Sequence, residues 1–170
     1  MKILAVQNRM GIGDTVIFLP FIKALSKKFN SPISILVKES SKAHQYLHQT
    51  NYIDKIIILE RDNKTNNRHS GFLGNFNLIK DIKKHNFDKI IIFNSSIRYH
   101  LISKLCGIPE IYQYPLFQKS RQHIIDAPKK FLKDKFDLIV NDDPEVQIDD
   151  NSILKSIKEF QINKNEMNIL

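Results

Sequence analysis

Cysteine is almost absent. The 170 residues hold one, Cys106, so an internal disulfide is impossible and a cysteine-rich metal site is excluded; a reducing compartment suits such a chain. Long apolar runs are missing as well. No segment reaches the ~18 uninterrupted apolar residues of a spanning helix. The N-terminus has a single positive charge and four apolar residues, Ile3 to Val6, before Gln7-Asn8-Arg9, which is too short for a signal-peptide core. A cytoplasmic location is expected. Acidic residues are in the minority, 18 against 26 Lys plus Arg, for a formal net charge of +8, which favours anionic partners. Tryptophan is absent and the basic residues are not interleaved with aromatics, so nucleic acid is not the expected partner. What remains is ordinary for a folded globular chain: 42% hydrophobic, 26% charged, and long enough for one sizeable core.

Short Ile/Val-rich runs recur at Ile3 to Val6, Ile33 to Val37, Ile56 to Leu59 and Ile90 to Phe93. Most lack the alternation of a strand with one wet face, so they read as central strands of a covered sheet. Helical spacing fills the intervals: Ile17, Phe18, Phe21, Ile22, Leu25 and Phe29 mark one stripe, and Leu78, Ile79 and Ile82 another. Ile97, Leu101 and Leu105 predict a further helix, Glu110 to Tyr114 a short fifth strand, and Ile124 to Lys133 a helix that Pro128 interrupts or begins. Strand and helix alternate. This order predicts an α/β, Rossmann-like parallel sheet with helices on both faces. The acidic stretch from Asn141 to Asp150 reads as a surface connection, dividing residues 1–140 from 141–170; Ile153, Leu154, Ile157 and Phe160 beyond it have helical spacing.

The loop between the first strand and the first helix is the most informative segment: Arg9-Met10-Gly11-Ile12-Gly13-Asp14-Thr15. Gly11 and Gly13 permit a tight turn and close approach by a ligand. Val16 stands where a dinucleotide fingerprint would have its third glycine, and no Gly-Lys-Ser/Thr follows, so neither an NAD site nor a P-loop is well supported. Asp14 argues the same way, since a carboxylate beside the helix N-terminus would repel a pyrophosphate. Such a carboxylate at the mouth of a cleft can take a proton from an attacking sugar hydroxyl; the plainer alternative is a helix N-cap.

The opening Met1-Lys2-Ile3-Leu4, with Gly11-Ile12-Gly13-Asp14, Pro20, Ala24-Leu25 and Phe29, resembles the start of the family 9 glycosyltransferases, the heptosyltransferases of lipopolysaccharide assembly. Asn86-Phe87-Asp88-Lys89-Ile90-Ile91-Ile92 with Ser95, Arg98 and Leu101, and then Gln122-His123, resemble later motifs of that family. The resemblance covers nearly the whole chain but only the family's N-terminal, acceptor-side domain. It implies the two-domain GT-B architecture, with a C-terminal donor domain holding a nucleotide sugar such as ADP-heptose, and a linker, helix and start of that second domain in 141–170. It implies inverting transfer to a lipid-linked or lipopolysaccharide core saccharide, without a metal or other cofactor.

Under that resemblance Asp14 matches the general base, and Gly11 and Gly13 let the loop approach the acceptor. Arg98, in the turn after the fourth strand, is a candidate for an acceptor phosphate or carboxylate. Arg61, Lys64 and Arg68 lie in the long segment after the third strand, at the edge of the sheet where ligands of α/β domains bind, and are further acceptor candidates. His123 is a candidate to orient the acceptor. Asp142-Asp143 and Asp149-Asp150 lack His or Cys company and read as solvated linker. Paired lysines, Lys27-Lys28, Lys83-Lys84 and Lys129-Lys130, suit a solvated surface or peripheral contact with an anionic membrane at the inner face of the inner membrane. A noncatalytic α/β module that binds an acidic saccharide or a partner protein is the alternative reading.

Overall fold

In a computed structural model, residues 1–9, 11–61, 67–116 and 123–160 are described. The chain runs β1 (Ile3–Val6), α1 (Ile12–Phe29), β2 (Ile33–Lys38), a 3-10 turn over Glu39–Ser41, α2 (Ala43–Tyr46), β3 (Ile53–Leu59), α3 (Gly71–Lys83), β4 (Lys89–Ile92), α4 (Ile97–Leu105), β5 (Glu110–Gln113), α5 (Asp126–Phe136) and α6 (Asp150–Glu159). The five strands form one parallel sheet in the order β3-β2-β1-β4-β5. The expected α/β, Rossmann-like arrangement is therefore the one observed.

Strand alternation explains why the runs are apolar throughout. Ile3 and Ala5 of β1 pack on one side with Phe18, Phe21 and Leu25 of α1 and with Phe131 and Leu132 of α5. Leu4 and Val6 point to the other side, where Leu78 and Ile82 of α3 and Tyr99 and Ile102 of α4 cover them. Every residue of β1 and β4 is buried. At about 25 cal/mol per Å² of apolar area removed from water, these two layers are the main source of stability.

β3 begins at Ile53 rather than Ile56 because it is an edge strand, where Asp54 and Lys55 reach solvent and Asp54 accepts from the Ser34 hydroxyl at 3.0 Å. β4 takes in Lys89, whose buried ammonium meets the Glu110 carboxylate across the β4–β5 pair and lies 5.1 Å from the ring centroids of Phe29 and Tyr112. Pro128 falls in the first turn of α5, where its missing N–H has no intrahelical partner to lose. α1 ends on Asn30 in the left-handed conformation, its N–H donating to the Lys27 carbonyl. The Cys106 thiol is buried, and desolvation pushes its pKa up to about 11 despite nearby Lys83. The segment 141–149 has no regular structure but is fastened to the body through Lys23–Glu145, Asn51–Gln147 and Gln49–Asp149.

Gly74 marks the tightest approach between α3 and the preceding turn. A Cβ there would lie 2.3 Å from the His69 carbonyl carbon and 2.7 Å from its oxygen, both backbone atoms. Gly74→Ala is therefore expected to destabilise the fold by about 1–3 kcal/mol, lowering the melting temperature by a few to roughly ten degrees. Gly13→Ala, which meets open space in the first turn of α1, should leave it unchanged or raise it. Thermal unfolding of the two variants side by side checks both.

Candidate functional site

The strand order reverses at β1: β2 and β3 lie to one side of it and β4 and β5 to the other. In open parallel sheets the crevice outside the carboxyl ends of the strands at such a switch point is the place for a ligand. Two turns border it here. One joins β1 to α1 and leads into the first turn of that helix, where Asp14 lies; the other, Phe93 to Ser96, joins β4 to α4. Val6 pairs with Ile92 and the Phe93 N–H donates to the Val6 carbonyl at 3.0 Å, so the two turns leave the sheet side by side.

Gln7 holds the first turn in shape. Its side chain is buried, its Oε1 accepts from the Arg9 N–H at 3.0 Å, and its Nε2 donates to the Asp14 carbonyl at 3.3 Å. Gly11, at φ 101°, is the helix N-cap, and the Thr15 hydroxyl donates to its carbonyl at 3.2 Å. That backbone conformation requires glycine at position 11. Gly13, by contrast, is already helical, and what it offers is an open surface without a side chain.

Asp14 is the third residue of α1, not its N-cap, and no side chain caps the helix. Among the described residues, no group hydrogen-bonds or ion-pairs with its partly exposed carboxylate. A carboxylate at the switch point can accept a proton from a hydroxyl placed in the crevice.

The opposite turn is clamped in a different manner. The Asn94 Oδ1 accepts from the Ser96 N–H at 2.9 Å, while the Gln113 Nε2, from the end of β5, donates to the carbonyls of Asn94 and Ser96 at 3.1 and 2.9 Å. Among the described residues this leaves the Asn94 Nδ2 and Gln113 Oε1 buried without partners, one a donor and one an acceptor, and the Tyr114 hydroxyl, next along, likewise. Desolvation raises the Tyr114 pKa strongly, partly offset by the charge of Arg9. Arg9 itself is exposed in the turn after β1.

The remaining candidate residues do not all converge on this crevice. Arg68 forms an ion pair with Asp81 of α3 at 2.6 Å, and Asp81 also accepts from His69 at 3.0 Å. The His69 Nδ1 accepts the Glu60 N–H at 3.0 Å, so its proton resides on Nε2 and is donated to Asp81. Desolvation pushes the Asp81 pKa upward, but the bonds from His69 and Arg68 and the charges of Arg68 and Lys84 outweigh it and hold the carboxyl below its ordinary value. Arg98 donates to the Asn75 Oδ1 at 2.7 Å and to the His69 carbonyl at 2.8 Å, tying α4 to α3 and to this network. Arg61 is exposed just past β3, and Lys64 lies outside the described residues. His123 is exposed before α5, its Nδ1 accepting the Ile125 N–H at 3.4 Å. Among the described residues, no cluster of three His, Cys, Asp or Glu side chains could hold a metal ion. Gln7, Asn94 and Gln113 were not singled out from the sequence, and Arg9 was quoted only as the start of the glycine loop; a polar residue at or just past the end of a strand was the available signal.

No protein-family model matches the chain, and no curated protein matches it in sequence. Its fold is nonetheless shared with solved structures. A family 9 glycosyltransferase from Veillonella parvula aligns over 98% of this chain and 52% of its own, at 16% identity and a TM-score of 0.73. The E. coli ADP-heptose lipopolysaccharide heptosyltransferase II aligns over 96% of this chain and 52% of its own, at 14% identity and a TM-score of 0.66. An E. coli heptosyltransferase solved with ADP gives 94%, 53%, 12% and 0.51 in the same terms. The chain spans about half the length of these proteins, and at these identities the likeness is one of fold. The family that the sequence resembles is the family of these structural neighbours.

The Asp81 network yields a pH-dependent prediction. A carboxylate whose folded pKa is depressed contributes stability above its unfolded pKa, and that contribution disappears as pH falls through the lower folded value. Asp81→Asn should therefore cost about 1–3 kcal/mol at pH 7, with the deficit shrinking below pH 4 as the native carboxylate is itself protonated. Urea unfolding of both proteins at neutral and acid pH measures the difference.

Proposed function

We propose that this chain is the acceptor-side half of a family 9, heptosyltransferase-like glycosyltransferase. The observation that carries the reading is the Asp14 carboxylate, without a partner among the described residues, at the switch point of a sheet whose fold recurs in a family 9 glycosyltransferase. In this reading Asp14 removes the proton from an acceptor hydroxyl as its oxygen attacks the anomeric carbon of a nucleotide sugar such as ADP-heptose, and the nucleoside diphosphate departs from the opposite face with inversion. The C–O bond to the acceptor forms as the C–O bond to the phosphate breaks.

The acceptor is a lipopolysaccharide-type core saccharide. Its anionic groups meet Arg9 and Arg61 at the carboxyl edge of the sheet; Lys64 and His123 belong to the same proposal. Arg68 and Arg98 position α3 and α4 rather than contact the saccharide, because their guanidinium groups are held by Asp81, Asn75 and the His69 carbonyl. A second α/β half, in keeping with the roughly half of each structural neighbour that this chain does not span, supplies the donor site. Peripheral association with an anionic membrane surface brings the enzyme to a lipid-linked acceptor; no helix among the described residues is long and apolar enough to cross a membrane.

Calorimetric titration separates the two half-sites. The 170-residue chain is expected to bind a delipidated, phosphorylated core oligosaccharide in a salt-sensitive manner and to show no binding of ADP-heptose. Tight binding of the nucleotide sugar alone would overturn the assignment of the acceptor site to this half. Where the chain is joined to a donor-binding half, Asp14→Asn should lower kcat by about 10²- to 10⁴-fold with the melting temperature unchanged, and near-normal turnover would remove Asp14 from the mechanism.

A further inference from the structure

The outer faces of α3 and α4 are unusual for a surface with nothing packed on it. The inward residues of α3, Leu78 and Ile82, meet the sheet, and the outward ones are Phe72, Leu73, Phe76, Lys80 and Lys83. On α4 the inward residues are Tyr99 and Ile102 and the outward ones Ile97, Leu101, Lys104 and Leu105. Phe72 and Leu73 are each 76% exposed. Phe72 and Phe76 pack edge to face on one another, with ring centroids 5.2 Å apart, yet both remain open to solvent. The bond from Arg98 to Asn75 joins the two helices at the level of these side chains, so the apolar groups of both lie on the same outer side of the layer. An apolar surface of this kind on a folded chain marks a contact with something else.

Charge identifies the occupant. α3 has one acid, Asp81, which is turned inward and held by His69, Arg68 and Lys84. α4 has none, and no acid occurs anywhere between Asp88 and Glu110. Asp88 itself precedes β4 at the far end of the sheet, where it accepts from the Lys2 N–H. The face therefore combines protruding Phe, Leu and Ile side chains with Lys80, Lys83 and Lys104, and neither helix places a carboxylate on it. We propose that the outer face of α3 and α4 docks on an anionic lipid surface, with Phe72, Leu73, Phe76, Ile97 and Leu101 entering the boundary between headgroups and acyl chains and the lysines meeting lipid phosphates. Aromatic and aliphatic side chains flanked by cations are what that interfacial zone accommodates. The paired lysines of α1 and α5 are not part of this face. The inference rests on exposure and charge alone and does not depend on the sugar-transfer reading.

Co-sedimentation of the full chain with phosphatidylcholine vesicles, with and without phosphatidylserine, tests it. Binding is expected only to the phosphatidylserine vesicles and should fall with added salt. Phe72→Ser/Leu73→Ser should reduce the partition coefficient about tenfold or more, and Lys80→Glu/Lys83→Glu should reduce it similarly, both at unchanged melting temperature. Lys129→Glu/Lys130→Glu on α5 should behave as the parent. Equal loss in all three variants, no loss in the first two, or no binding by the parent would each overturn the proposal. So would a dimer in gel filtration that Phe72→Ser/Leu73→Ser converts to a monomer without any vesicle binding, which would assign the face to a second copy. Oligosaccharide binding by the Phe72→Ser/Leu73→Ser variant should equal that of the parent, so failure here is distinguishable from failure of the acceptor-site assignment.

Discussion

The whole arrangement hangs on a four-residue strand that has no exposed side chain. β1 is flanked by strands on both edges and by helices on both faces, so Ile3 and Ala5 must find one apolar layer and Leu4 and Val6 another. Right-handed crossovers then divide the helices between the two faces according to the direction in which the chain leaves β1 or returns past it. The same reversal of direction opens the crevice beside Asp14. Function and stability thus share one origin: the strand that is hardest to expose ends in the turn from which the candidate base projects. Gln7 converts that burial into geometry. Buried like the strand it follows, it binds both the Arg9 N–H and the Asp14 carbonyl, so the turn is fixed by the same packing that fixes β1.

Much of this was legible in the sequence because it depends on local pattern. β1 and α4 have the limits that the apolar spacing predicts, and the parallel sheet follows from alternating strand and helix signals. The Gly11-x-Gly13-Asp14 stretch stands out because glycines just after a buried run permit a turn that other residues resist. Pairings between distant segments were not legible. Arg68 and Arg98 read as candidate acceptor contacts, and only the folded chain brings them to Asp81, Asn75 and the His69 carbonyl. Lys89 reads as the polar flank of a strand and is instead buried against Glu110, Phe29 and Tyr112. The stretch after β2, a 3-10 turn followed by one turn of α2, has no periodicity long enough to be seen.

These pairings also change what the net charge means. An excess of +8 suggests a diffusely basic surface, but the structure sorts the cations by what surrounds them. Lys89, Arg68 and Arg98 balance or bridge internal groups, and their removal would be felt mainly in folding. Arg9 has no carboxylate partner among the described residues and is exposed in the turn after β1. Lys80, Lys83 and Lys104 lie beside apolar side chains on an outer face. Composition supplies the same number for all of them, whereas a salt dependence of binding reports only on those whose counterions are free to leave.

The openness of the crevice bears on the proposed chemistry. Asp14 has the sheet edge beneath it and the β4–α4 turn beside it, with no described element opposite. Proton removal from a sugar hydroxyl needs more than a carboxylate within reach, because the hydroxyl becomes acidic only as its oxygen bonds to carbon. Under the transferase reading, a second half closing over the edge would exclude water and present the anomeric carbon to that hydroxyl, so this half alone positions an acceptor and does not complete the transfer. In that reading Asp14, whose carboxylate has no hydrogen-bond partner among the described residues, keeps its oxygens open for the hydroxyl that closure brings into line.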